Sequence, residues 1–95
     1  MKASIKDNFL IRDLAGEKVL ISSGEQVNLS KMLIMNDTAA FIIQELQKGS
    51  KTSEDLSKLM TESYDIDYTE AYQDIEELLK QLEKLNVVTI GNDSI

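Results

Sequence analysis

The sequence predicts an α+β domain in which three antiparallel β-strands precede three α-helices. Up to Met35, short apolar and β-branched runs alternate with turn residues, which is typical of strands. From Asn36 onward, apolar residues recur at the spacing of amphipathic helices. The chain has 95 residues and shows no interdomain linker. We therefore expect one domain over residues 1–95, with its core at about 8–88.

Three short segments are predicted to form the strands. Phe9–Leu14 is apolar, and Ala15-Gly16 supplies a turn into a second strand at Lys18–Ser22, so these two strands form a hairpin. Lys31–Met35 is a continuous apolar run, which by periodicity alone fits either a buried strand or a buried helical turn. The lack of helical spacing and the stop at Asn36-Asp37 favour a third strand.

Each predicted helix has a start signal. Asn36 or Asp37 caps the first helix by accepting a hydrogen bond from an unpaired N–H group. Thr52 and Asp55 form a capping box for the second helix, and Asp67 is expected to start the third in the same manner. The predicted helices are Asp37–Lys48, Ser53–Ser63 and Tyr68–Leu85.

The residue types argue against catalysis. The chain has no histidine and no cysteine, which excludes the common nucleophilic triads and the common zinc sites. Glu70, Asp74 and Glu77 share helical spacing, but a solvated acidic face is a commoner explanation than a cation site. We therefore expect no catalytic residue, no metal and no cofactor. The lack of cysteine also fits a reducing cytoplasm, which is the expected location.

The charge balance limits the expected partners. The formal net charge is −7, and Arg12 is the only arginine. Phosphate backbones are bound by lysine and arginine, so nucleic acid is a poor partner. No apolar run reaches the roughly 20 residues that cross a bilayer, and no membrane partner is expected. A basic or neutral polypeptide is compatible with this charge.

Three helices after strands, followed by a short final strand or wing at Val87–Ile90, suggest a winged-helix-like shape. In DNA-binding winged helices the last helix of the trio reads the major groove. In this chain that helix is acidic, with Lys80 and Lys84 as its only cations. Its acidic residues are Glu70, Asp74, Glu76, Glu77 and Glu83. A winged-helix transcriptional regulator is thus an alternative that requires a basic surface absent from the sequence.

The third helix carries two apolar stripes. The stripes are Tyr68/Tyr72/Ile75/Leu79 and Ala71/Leu78/Leu82/Leu85. Either a small core wraps this helix, or one side is buried and the other lines a groove. The apolar strand Lys31–Met35 is either covered on both faces or an edge that invites an added strand. A homodimer formed through the same apolar surface is a further alternative.

Four segments resemble the PqqD-like family of peptide recognition elements, named for a protein of pyrroloquinoline quinone biosynthesis. These segments are Phe9–Glu17, Met35–Ile42, Tyr64–Asp67 and Asp74–Leu82. Ile43 stands where many relatives carry tryptophan, and Asn86 stands where glycine is frequent. The resemblance implies a winged-helix-like domain of three antiparallel strands and three helices.

The resemblance also implies a function and a site. Relatives bind the leader segment of a ribosomally made peptide as an added strand between the third strand and the third helix. They then deliver it to a radical SAM enzyme or another maturase. Carried onto this chain, the peptide-binding residues are Lys31, Met32, Leu33, Ile34 and Met35 on the strand, and Tyr68, Ala71, Tyr72, Ile75 and Leu79 on the helix. The implied protein is a non-catalytic peptide chaperone.

Overall fold

The computed structural model of the protein describes residues 2–6, 9–22 and 33–91. In this part of the chain, two three-stranded antiparallel sheets accompany three helices. The strands are β1 (Lys2–Ile5), β2 (Phe9–Leu14), β3 (Glu17–Ser22), β4 (Leu33–Met35), β5 (Lys51–Thr52) and β6 (Val88–Gly91). The helices are α1 (Asp37–Gln47), α2 (Ser53–Ser63) and α3 (Tyr68–Lys84). The predicted α+β class, with the main strands before the helices, is confirmed.

One sheet has the strand order β2-β3-β4. The predicted hairpin joins β2 to β3 through Ala15 and Gly16, whose φ angles of 53° and 85° fit a tight turn between strands. β4 then pairs with β3, placing Ile34 opposite Val19. The predicted third strand is therefore a strand in its described part, while Lys31 and Met32 lie outside the described residues. This order leaves β4 at an edge of the sheet.

The second sheet has the order β5-β1-β6, and two of its strands were not predicted. β1 lies in the middle, with its fully buried Ala3 opposite Ile90 of β6. The final strand expected at Val87–Ile90 is confirmed as β6. The only local signal for β1 is the alternation of Ala3 and Ile5 with polar neighbours.

Side-chain caps explain where two of the helices begin. Asn36 Oδ1 accepts a hydrogen bond from the N–H of Ala39 at 2.8 Å. Thr52 Oγ1 accepts from the N–H of Asp55 at 3.1 Å, while Asp55 Oδ2 accepts from the N–H of Thr52 at 3.2 Å. The hydrogen bond that the Thr52 N–H donates to the Asp55 carboxylate, followed by the effect of the Thr52 side chain, lowers the pKa of Asp55. The expected side-chain cap at Asp67 is wrong, because its side chain makes no capping hydrogen bond.

The core lies between the helices and the inner faces of both sheets. Its largest buried side chains on the helices are Ile42, Ile43, Leu46, Leu56, Ile75, Leu79 and Leu82. Ile43 is fully buried there. After α3, Asn86 adopts a left-handed φ of 62° and the chain turns back into β6. No helix in the described ranges is long and apolar enough to cross a membrane.

Candidate functional site

A cleft of about 370 Å³ runs along the outer edge of β4. β3 occupies one side of β4, and within the described ranges no strand occupies the other side. An edge strand presents unpaired N–H and C=O groups on that side. The cleft is lined by Leu33, Ile34, Met35, Asn36, Thr38, Ala39, Met60, Ile66, Asp74, Leu78, Gln81, Leu82 and Leu85. It therefore combines a strand edge that no other described strand pairs with and a mainly apolar wall.

The strand wall of the cleft consists of Leu33, Ile34 and Met35. Met35 is buried and Leu33 is half-buried against the core, whereas Ile34 is 63% exposed. This alternation follows from the two-residue repeat of a strand, which sends successive side chains to opposite faces. A second strand can pair with the backbone N–H and C=O groups on the outer side of β4.

The opposite wall of the cleft belongs to α3, from Asp74 to the C-terminal end of the helix. Asp74, Leu78 and Leu82 recur every four residues, so they lie above one another on one helix face. Leu82 is buried at the bottom of the cleft, and Leu78 is half-buried. Leu85, just after the helix, is 55% exposed. An incoming strand would thus meet leucines along most of this wall.

The other edge of the same sheet, along β2, differs from the β4 edge. The side-chain Nε2 of Gln47 donates a hydrogen bond to the carbonyl of Phe9 at 3.3 Å, which satisfies one backbone group at the start of β2. The residues that line the cleft include none from β2. The combination of strand edge and apolar helix wall is therefore a property of the β4 side of this sheet.

Three of the predicted helix residues lie in the core. Ala71, Ile75 and Leu79 are fully buried and present no surface to the cleft. Their contact with a peptide stays a prediction, but in this structure the α3 wall is formed by Leu78 and Leu82 instead. The sequence did mark Leu78 and Leu82 as apolar positions, since both belong to the second apolar stripe of the helix. Periodicity alone did not indicate which stripe faces β4.

Tyr68 and Tyr72, the other two predicted helix residues, lie in a separate depression of about 650 Å³. It shares no lining residue with the β4 cleft, and its walls include Glu54, Glu76 and Glu77. The hydroxyl of Tyr72 donates a hydrogen bond to Glu54 Oε1 at 3.4 Å. Desolvation, followed by the charges of Glu76 and Glu54, raises the pKa of Tyr72. The structure thus separates the two tyrosines from Leu33, Ile34 and Met35, the described part of the predicted strand.

Some cleft residues were not predicted at all. α1 contributes Thr38 and Ala39, α2 contributes Met60, and the loop after α2 contributes Ile66. These side chains come from segments distant from one another in sequence. No local pattern places them beside β4, because their proximity depends on how the helices pack.

Comparison with known proteins shows a family match and two similar folds. The family model described as Coenzyme PQQ synthesis protein D (PqqD) matches residues 17–88. No curated protein sequence matches the chain significantly.

Two solved structures share the fold. A lasso peptide synthetase B1 complexed with the leader peptide is 24% identical, with 93% of this chain and 98% of that chain covered at a TM-score of 0.70. TbiB1 in complex with the TbiA(beta) leader peptide is 18% identical, with 95% and 99% covered at a TM-score of 0.72.

Proposed function

The chain belongs to the PqqD family, and we propose that it binds the leader segment of a ribosomally made precursor peptide in the β4 cleft. The observation that carries this proposal is the edge of β4, which no described strand occupies, opposite the leucines of α3. The two similar solved structures named above are complexes with a leader peptide, which supports the same ligand class here.

Strand addition is the binding mode that this cleft favours. A peptide strand beside β4 would pair with the unpaired backbone groups of Leu33–Met35, and such main-chain hydrogen bonds supply affinity without demanding a particular sequence. Every second peptide side chain would face α3 and pack on Leu78, Leu82 and Leu85. These contacts supply selectivity for apolar residues at alternate peptide positions.

The residue types support a role as a peptide chaperone. The chain lacks histidine and cysteine, and no group of three acidic residues in the described part could hold a metal ion. We propose that the protein is non-catalytic and presents the bound peptide to a separate modifying enzyme. A radical SAM enzyme or another maturase is the expected partner, and the cytoplasm is the expected location.

Amide hydrogen exchange with a synthetic leader peptide tests this function. The peptide is taken from a precursor gene adjacent to the gene for this protein, and a scrambled peptide of the same composition is the control. At a peptide concentration of about 100 Kd, the outward amides of Leu33–Met35 should exchange up to about 100-fold more slowly. The amides of β2 provide an internal control, because β2 is the opposite edge of the same sheet.

Two results would contradict the proposal. Protection of β2 instead of β4 would place the peptide at the opposite edge of the sheet. Equal protection by the scrambled peptide would show that binding does not depend on the peptide sequence.

Two alternative functions need their own tests. Sedimentation with and without the leader peptide distinguishes a self-associating protein from one that binds the peptide as a monomer. Duplex DNA, added at physiological salt, should not bind because the exposed face of α3 is mainly acidic.

A further inference from the structure

Among the described residues that line the β4 cleft, Asp74 is the only one with a charged side chain. It is exposed, and no ion pair or side-chain hydrogen bond links it to another residue in the described part of the chain. Its neighbours one helical turn away are Glu70 and Glu77, so its own helix does not neutralise it. Within the described part of the chain, no cation pairs with Asp74, and its negative charge lies beside the apolar wall of the cleft.

The position of Asp74 along α3 matches the spacing of side chains on a strand. At 1.5 Å per residue, Asp74, Leu78 and Leu82 are separated along the helix by steps of about 6 Å. Side chains on one face of a strand are separated by about 6.6 Å. Consider a peptide strand that packs one side chain against Leu78 and the side chain two residues further along against Leu82. The side chain two residues before the first of these would then lie close to Asp74.

We propose that Asp74 selects leader segments in which a lysine or arginine stands two residues from the first of two alternating apolar residues. This inference rests on the proposed function and specifies its ligand chemistry. The expected pattern is basic-x-apolar-x-apolar, or its reverse if the peptide runs in the other direction. The net charge of −7 favours approach of such a basic segment.

A displayed library of random 12-residue peptides, selected on the immobilised full chain, provides the probe. Asp74→Asn removes the charge in the cleft. Glu83→Gln is the matched control, because Glu83 is another exposed acidic residue of α3 that does not line the cleft. The wild type and Glu83→Gln should enrich the basic-x-apolar-x-apolar pattern. Asp74→Asn should keep the apolar alternation and lose the basic preference, while Asp74→Lys should enrich acidic residues at that position.

Affinity measurements on one selected peptide give a second readout. Since an exposed ion pair is worth little, Asp74→Asn should bind the peptide about 2- to 5-fold more weakly at low salt. The difference should shrink as salt rises, because salt screens exposed charges. Circular dichroism melting confirms that each variant is folded.

The outcomes separate this inference from the proposed function. Apolar alternation without a basic residue in the wild-type selection overturns the role of Asp74 and leaves peptide binding intact. A basic preference that persists in Asp74→Asn also overturns it. If the folded wild-type protein enriches no peptide pattern, the proposed function fails and the inference with it.

Discussion

Helix α3 has two apolar surfaces whose side chains meet different surroundings. Ala71, Ile75 and Leu79 are fully buried where α3 packs against the rest of the core. Leu78 is only half-buried, and Leu85 beyond the helix end is 55% exposed beside the β4 edge. Both sets have helical spacing and the same residue chemistry, so burial separates them and periodicity does not. A wide apolar face on a helix therefore indicates a second contact surface without identifying it.

Because the two surfaces differ in burial, truncation of their side chains should have different effects. Truncation of a buried side chain removes packing and leaves a cavity, so its cost falls on the free energy of unfolding. Truncation of an exposed leucine removes little packing, so any substantial cost falls on binding. Variants on the two surfaces should thus separate folding from peptide recognition.

The largest effect is expected for Ile75→Ala on the buried surface. Removing this side chain should lower the free energy of unfolding by about 2–5 kcal/mol, because a cavity replaces well-packed core atoms. Urea denaturation followed by circular dichroism measures the change. A loss below about 1 kcal/mol, within the range of exposed sites, would contradict the core role of this surface.

A smaller effect, on binding alone, is expected for Leu85→Ala. Leu14→Ala is the matched control, since Leu14 is a leucine of similar exposure, 46%, that does not line the cleft. Both variants should stay within about 0.5 kcal/mol of the wild-type stability. Leu85→Ala should weaken binding of the leader peptide by about 1–2 kcal/mol, as at an interface residue of moderate importance.

Titration calorimetry on the two leucine variants decides the result. Equal affinities for Leu85→Ala and Leu14→Ala would mean that the peptide does not reach the C-terminal end of the cleft. A large loss of stability in Leu85→Ala would place that side chain in the core.

The smallest effect on peptide affinity is expected for Tyr72→Ala. Tyr72 is half-buried in a depression that shares no residue with the β4 cleft. Leader-peptide affinity should therefore change by less than about 0.5 kcal/mol, as for most residues outside the central contacts. Tyr72→Phe, which keeps the ring and removes the hydrogen bond to Glu54, is the control for stability. A tenfold loss of affinity in Tyr72→Ala would instead place Tyr72 on the peptide surface, as the sequence alone predicted.

Local signals were sufficient to predict much of the fold. The start of α2 was predicted correctly because Thr52 and Asp55 cap each other within a single turn. The β2–β3 hairpin was predicted because its turn joins neighbouring segments. β1 was missed because it is only four residues long and its partners, β5 and β6, lie far along the chain. Strands held by distant partners need only a weak sequence pattern of their own.

The candidate site, like the fold, could be predicted from the sequence only in part. The amino-acid sequence shows that the strand ending at Met35 and the third helix carry many apolar residues, which fit either a wrapped core or a groove. It also shows that the chain is acidic and lacks histidine and cysteine. These properties depend on residue identity and spacing, and they limit the function to binding chemistry that apolar and acidic groups support.

The face of α3 that lies opposite β4 depends on long-range packing and could not be predicted from helical spacing. The rotation of a helix about its axis is set by the elements it packs against, and for α3 these are α2 and β6. With Ile75 and Leu79 directed into that packing, Leu78 and Asp74 face the strand edge. Tyr72 then falls on another surface. Helical spacing specifies which residues share a face, but the long-range contacts select the face that remains available for a ligand.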